Sequence, residues 1–329
     1  VQTCALPISG SCFAQHIGRH LAQRGFHRLV TETAHPIVPG DVATRMQYGV
    51  YTARYGNLYT ARQALQLFQR AYGSFTPQES PWTDGDGRWF DPFRPAIQPD
   101  GFESREELEA DRAQHLGAVR CMFETADVLV FTLGLTETWV SREDGAVFPV
   151  CPGVSGGNFD ASRHAFVNFG VEEVVSDLRE FIALARSVRP GLRVILTVSP
   201  VPLAATAEPR HVWTSTTYSK SVLRVAAEAL AIEPLTAYFP SYEIVTAPSN
   251  RGAYYDADLR TVTRDGVAHV MRLFFRHFAG DDARTSTGSR DPDREETQRA
   301  REALERAREA VDIICEENAL DSGAGEMQP

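Results

Sequence analysis

Two runs of this chain leave little choice of architecture. "DVLVFTLG" (127–134) and "LRVILTVSP" (192–200) are apolar at successive positions instead of alternate ones. A strand of that kind is covered on both faces, as in a parallel sheet between helical layers. The stretches between and around the two runs carry helical periodicity. Phe13, Ile17 and Leu21 recur every fourth residue after Gly10, and "TARQALQLFQRAYG" covers 60–73. Ser104 and Glu107 are spaced as a capping box opening a helix that runs to 126. Residues 171–188 place Val174, Leu178, Phe181, Ile182 and Ala185 on one face before Pro190-Gly191 stops them, and further helices are expected over 219–231 and 265–278. Strands alternating with helices at this spacing predict one α/β domain over residues 9–280, with the sheet covered on both sides. In such sheets ligands bind beyond the carboxyl ends of the strands. That rule selects residues 10–12, 134–137 and 199–202. Residues 80–103, rich in Pro, Gly, Asp and aromatics (Trp82, Trp89, Phe90, Phe93), form a loop long enough to serve as a lid.

Both ends of the chain read as additions to that domain. Residues 281–329 hold 14 Asp and Glu against 7 Arg, so seven of the ten net negative charges belong to the tail. Residues 281–293 are expected to be a linker. Residues 294–317 are expected to be helical, with Ala300, Leu304, Ala307, Val311 and Ile314 in a short heptad-like stripe, either solvated or a surface for weak self-association. "VQTCALPI" (1–8) back-translates into the end of a sequencing adapter, so these residues are expected to be an assembly scar, the alternative being a genuine short apolar strand. A leader lost with the native start would leave no trace. The acidic balance argues against a nucleic-acid binder, which would carry a basic patch, and no run approaches the roughly 18 apolar residues of a membrane span. Five scattered Cys make no disulfide framework, which points to a reducing, cytoplasmic compartment. Neither a metal nor a cofactor is called for.

The turn at 10–12 is the sharpest chemical feature. A side chain on a turn entering a helix meets open backbone N–H groups and the positive end of the helix dipole. A thiol there acquires a lowered pKa and becomes a usable nucleophile. Cys12 occupies that place with Ser11 beside it; equally, Cys12 can be a small buried filler and Ser11 a helix cap. Lys220 stands apart for another reason: of 33 basic residues, 32 are Arg and it alone is Lys. Either it is a chance survivor, or a composition that replaced Lys wherever it could has left one where a compact ammonium is needed and a planar guanidinium does not fit. It is a candidate for binding an anionic substrate group or for lowering the pKa of Cys12.

Several separated stretches carry a resemblance. "GSCFA" (10–14), "YGNLYTARQ" (55–63), "FTLGLTETW" (131–139), "TVSPVPL" (197–203), "TTYSKSVLR" (216–224) and "YFPSYEIV" (238–245) resemble, in order, the GSCFA family, which is grouped with SGNH/GDSL-like hydrolases. The resemblance implies a flavodoxin-like three-layer α/β/α sandwich with a parallel sheet, and acyl-ester chemistry on a small-molecule or carbohydrate ester. Set against the G-D-S block of those enzymes without gaps, Gly10-Ser11-Cys12 puts Cys12 in the nucleophile slot; a shift of one residue restores Ser11. Gly56 and Asn57 resemble the glycine block that lines the oxyanion hole. Gly134-Leu135-Thr136-Glu137 resembles the G-x-N-D block, with Thr136 in place of the oxyanion-hole Asn. Asp258-Leu259-Arg260-Thr261 resembles the D-x-x-H block, but Thr261 stands where the general base would be, and a hydroxyl has no useful pKa for that work. A low-pKa Cys12 needs less help from a base; His211, ahead of the "YSK" helix, or His269 on the last helix could serve; or the protein binds without catalysing. For His269, packing within its helix is the alternative role.

Overall fold

A computed structural model describes residues 5–10, 12–23, 28–79 and 81–278, with Cys12 and Gln23 as backbone only. Ser11, the linker and the acidic tail lie outside the described residues. In chain order β1 (Ile8–Gly10) leads into α1 (Cys12–Gln23), α2 (Gly40–Arg45) and α3 (Ala61–Ala71). The short strands β2 (Trp82–Thr83) and β3 (Trp89–Phe90) precede α4 (Arg105–Thr125) and β4 (Val128–Leu133). Three strands follow, β5 (Glu137–Ser141), β6 (Val147–Phe148) and β7 (His164–Asn168). The chain then alternates through α5 (Val171–Val188), β8 (Arg193–Val198), α6 (Val212–Ala231), β9 (Thr236–Phe239), α7 (Ser241–Thr246) and α8 (Arg264–Phe278).

The central sheet has the order β1-β4-β8-β9, with all pairs parallel. Every residue of β4 is buried, as its unbroken apolar run requires. Helices flank the sheet on both sides in a three-layer α/β/α sandwich, with α1 packed on α8 and α5 packed between α3 and α6. On the far side of β1 from β4, Leu6 forms a parallel bridge to Arg28. The chain therefore leaves β1 to one side, returns, and crosses to the other for β4. Such a reversal opens a crevice at the carboxyl end of the strand where it occurs, which here is Gly10. Residues 5–8, expected to be foreign, are the start of this sheet: Ala5 N–H donates to Asp127 Oδ2 at 2.8 Å, Pro7 O accepts from Val130 N–H, and Ile8 is buried opposite Val130.

Two expectations change. Of Trp82, Trp89, Phe90 and Phe93 in the segment at 80–103, two are spent inside the fold, while Trp89 and Phe90 stay partly exposed. Trp82 and Phe93 are buried against Phe148, ring centroids 5.2 and 5.6 Å apart, in a second apolar cluster with Ala146 and Val150. They cover the small antiparallel sheet β6-β5-β7, whose apolar face would otherwise meet water. The helix expected from 219 begins at Val212, because His211 caps it: its Nδ1 accepts the Trp213 N–H at 3.2 Å.

Candidate active site

Gly10 ends β1 with φ +131°, and a Cβ there would lie 2.3 Å from Thr132 O and 2.7 Å from Thr132 N on β4. Only glycine lets β1 and β4 approach so closely and still turn into α1. Phe13, Ala14, Ile17 and Leu21 bury one face of α1, which aims the helix amino end at the carboxyl edge of the sheet. Cys12 is the first residue of α1, so the backbone N–H groups of its first turn have no partner within the helix. One turn on, burial pulls the His16 imidazole down to about 3, with Arg19 and His20 adding to the effect. His16 is therefore neutral at physiological pH and a weak proton acceptor.

The segment carrying Gly56 and Asn57 is clamped onto this turn. Leu58 N–H donates to Gly10 O at 3.0 Å, and Tyr59 O accepts from both Gly134 and Leu135 N–H at 3.0 Å. Gly56 takes φ +71°, open to glycine at low cost. Asn57 is 2% exposed. Gln15 Nε2 donates to Tyr51 Oη at 3.1 Å, and the Tyr51 hydroxyl donates in turn to Asn57 Oδ1. That relay occupies the acceptor end of the Asn57 amide and fixes which end is the donor. Tyr51 and Gln15 went unremarked in the sequence. They lie 36 residues apart, and no local pattern announces their pairing.

At the end of β4 the chain is held by α6. Lys220 Nζ, in a side chain 2% exposed, donates to Gly134 O at 2.6 Å. Ser219 Oγ accepts the Thr136 N–H at 3.0 Å. The Thr136 hydroxyl donates to Asn168 Oδ1 at 2.7 Å, and Asn168 Nδ2 donates to Glu208 Oε1 at 3.0 Å. The only hydroxyl proton of Thr136 is thus engaged inside the protein. Glu137 Oε1 accepts from Thr206 Oγ1 at 2.7 Å. Burial raises the Glu137 carboxyl above its ordinary value, against the opposing hydrogen bonds of Thr206 and Ser215.

The D-x-x-T stretch docks beyond β8. Tyr255 Oη donates to Pro200 O at 2.7 Å and Arg260 Nε to Pro202 O at 3.3 Å. Asp258 closes on its own loop: Oδ1 accepts the Arg260 and Thr261 N–H groups at 2.9 Å, and Oδ2 accepts the Thr261 hydroxyl at 2.6 Å. Desolvation works against ionisation, but these bonds outweigh it and hold the Asp258 carboxyl below its ordinary value. The Thr261 hydroxyl is thus spent on the carboxylate three residues before it. His211 is exposed at the start of α6, about 13 Å along the helix axis from Lys220. His269 Nδ1 lies 2.5 Å from Tyr254 Oη, a packing contact between α8 and the preceding loop.

Hydrogen bonds thus tie the segment that follows Gly56-Asn57 to Gly10 through Leu58 and to Gly134 through Tyr59, and tie α6 to the end of β4 through the pairs Lys220–Gly134 and Ser219–Thr136. Asp258 joins the same sheet edge from the β8 side, while His211 stands apart at a helix end. The side chains of Ser11 and Cys12 lie outside what is described. Among the described residues no three His, Cys, Asp or Glu side chains converge as metal ligands do, and no helix is long and apolar enough to cross a membrane. No curated protein matches the chain. The family model described as "GSCFA family" matches residues 5–274, from the first residues of the sheet into α8. With more than four-fifths of its length taken in by that match, the chain belongs to the GSCFA family.

Proposed function

We propose that the protein is an acyl-ester hydrolase or O-acyltransferase of the SGNH type, acting on an acylated small molecule or carbohydrate. The observation that carries this reading is the buried relay from Gln15 through Tyr51 to Asn57, set against a strand–turn–helix entered through a glycine that nothing else can replace. An amide whose donor end is fixed in advance beside a helix amino end suits a developing oxyanion, because it need not reorganise as charge forms. Cys12 as its thiolate, or Ser11 with its hydroxyl proton passing to water, attacks the acyl carbon. The oxyanion is held by the Asn57 amide and the backbone N–H groups of the turn, and Asn57 takes the part first expected of Thr136. Collapse expels the alkoxide, which gains a proton from solvent, and leaves the acyl group on the nucleophile. Water or a second hydroxyl then attacks, receives the acyl group and frees the nucleophile.

A second reading, of a ligand-binding protein without catalysis, draws on Thr261, whose hydroxyl takes the place of a base on Asp258. Assays of short-chain 4-nitrophenyl esters and a thiol-reactive probe separate the two. In the enzyme, Cys12→Ala or Ser11→Ala lowers turnover by roughly 10³-fold or more, and Asn57→Ala by roughly 10²–10³-fold with the fold intact. Wild type and both nucleophile variants equally inert, with Cys12 unreactive to the probe, would leave the binding reading standing.

A further inference from the structure

Behind the Gly56-Asn57 loop lies a buried ionic cluster assembled from distant stretches of chain. Glu32 accepts the Arg54 backbone N–H at 2.7 Å and stands 2.8 Å from His115 Nδ1. Arg54 Nη1 reaches Asp111 at 2.7 Å. Arg94 pairs with Asp91 at 2.9 Å and with Asp111 at 2.8 Å, and Arg112 pairs with Asp91 at 3.0 Å. Arg70 lies alongside, its guanidinium 3.9 Å over the Phe93 ring. The charges do not cancel. Among the described residues, four guanidinium groups (Arg54, Arg70, Arg94, Arg112) meet three carboxylates (Glu32, Asp91, Asp111), which leaves one positive charge with His115 neutral.

The surplus can be located. Arg70 is 9% exposed, yet among the described residues no carboxylate lies within 4.0 Å of its nitrogens, and its Nη2 is buried without a hydrogen-bond partner. Arg94, 1% exposed, likewise has one nitrogen, Nη1, buried without a partner. A buried charge left unpaired costs several kcal/mol, and native structures rarely leave such donors open. Both arginines line the same cavity, of about 20 Å³, together with Tyr55, Leu58, Gln63 and Gln66. The amide oxygens on its wall are engaged, Gln63 Oε1 by the Tyr59 and Thr60 N–H groups and Gln66 Oε1 by the Val147 N–H, and the Tyr55 hydroxyl is turned toward Ile8 O. The cavity thus offers guanidinium donors at a place of net positive charge. A water molecule would satisfy the donors and leave the charge. A single-atom anion asks less of this small space than a polyatomic one such as sulfate. A single-atom monovalent anion meets both requirements.

We propose that this cavity is a halide site, filled by chloride held between Arg70 Nη2 and Arg94 Nη1. Tyr55 and Leu58 in its wall flank Gly56 and Asn57, so the bound ion braces the segment clamped to Gly10. The site stands whether or not the protein transfers acyl groups. Melting temperature measured in sodium chloride and in sodium gluconate at equal ionic strength tests it, because gluconate is too large to enter. At about 100 mM salt the chloride sample is expected to melt roughly 2–4 °C higher, and Arg70→Met, which keeps the packing on Phe93, is expected to lose that difference. Should Arg70→Met not fold, crystals of the wild-type protein grown in sodium bromide decide the matter by an anomalous bromine peak between Arg70 and Arg94. No chloride-specific shift together with no bromine peak there, or a water molecule in its place, overturns the proposal.

Discussion

Lys220 shows how one side chain can be singled out by composition and explained only by contact. Its ammonium sits 2.6 Å from Gly134 O in a site closed to solvent, at the end of the strand that abuts the Gly10 turn. A guanidinium is larger and planar, and cannot place one compact donor at the end of a four-carbon stem in the same space. Lys220→Arg is therefore expected to lower stability by about 1–3 kcal/mol through overpacking. Lys220→Met is expected to cost about as much by leaving a buried carbonyl without its donor. Urea midpoints measure both; a silent Lys220→Arg would mean that the pocket is open. Gly10 is stricter still. With a Cβ 2.3 Å from Thr132 O, Gly10→Ala requires β1 and β4 to part, and a loss of about 4 kcal/mol or more is expected. Soluble, natively melting Gly10→Ala protein would contradict the close approach of the two strands.

At the scale of elements, caps and turns act where the helical period is silent. α3 starts at Thr60, whose hydroxyl accepts the Gln63 N–H at 3.2 Å while Gln63 Oε1 accepts the Thr60 N–H at 2.9 Å. This reciprocal cap orients the helix that brings Arg70 to the buried cluster. Thr60→Ala is expected to cost about 1 kcal/mol, and hydrogen exchange at the first turn of α3 should quicken more than exchange in α5. Much of this level was legible. The helices at 60–73, 104–126, 171–188 and 265–278 lie within a few residues of α3, α4, α5 and α8, because each has an apolar face of its own. The start of α6 was not legible, because His211 as a cap has no distinctive spacing. Nor were β5, β6 and β7: short strands of a small sheet look like loop until their partners are known.

For the molecule as a whole, the buried cluster ties stability to pH. Burial pulls the His115 imidazole down to about 4, Arg94 adds to the effect, and the Glu32 carboxylate opposes it without prevailing. In the unfolded chain a histidine titrates near 6.5. Between these values the unfolded chain binds a proton that the folded protein does not, so stability rises with pH. The contribution is complete above about 6.5 and is lost as pH falls toward 4, a loss of roughly 3 kcal/mol at full extent. His115→Gln is expected to flatten the pH dependence of the urea midpoint over that interval, even where it lowers stability at neutral pH. An unchanged slope would show that His115 is not buried as the neutral base.

The architecture was readable because its causes are local. Continuous apolar runs at 127–134 and 192–200 can be satisfied only between two helical layers, and the amphipathic stretches around them supply those layers. Positions likewise followed from rule: Gly10 and Gly134 stand at strand ends, where a parallel sheet opens its crevice. Chemistry did not follow in the same way, because it depends on pairs far apart in the chain. Asn57 has its donor end set by Tyr51 and Gln15, Thr136 donates its hydroxyl to Asn168 on β7, and among the described residues Arg70 meets no carboxylate although three stand in the same cluster. Each of those outcomes is a competition among side chains for one partner within hydrogen-bond reach. Periodicity settles which face of an element is buried, whereas the winner of such a competition exists only once the faces have met.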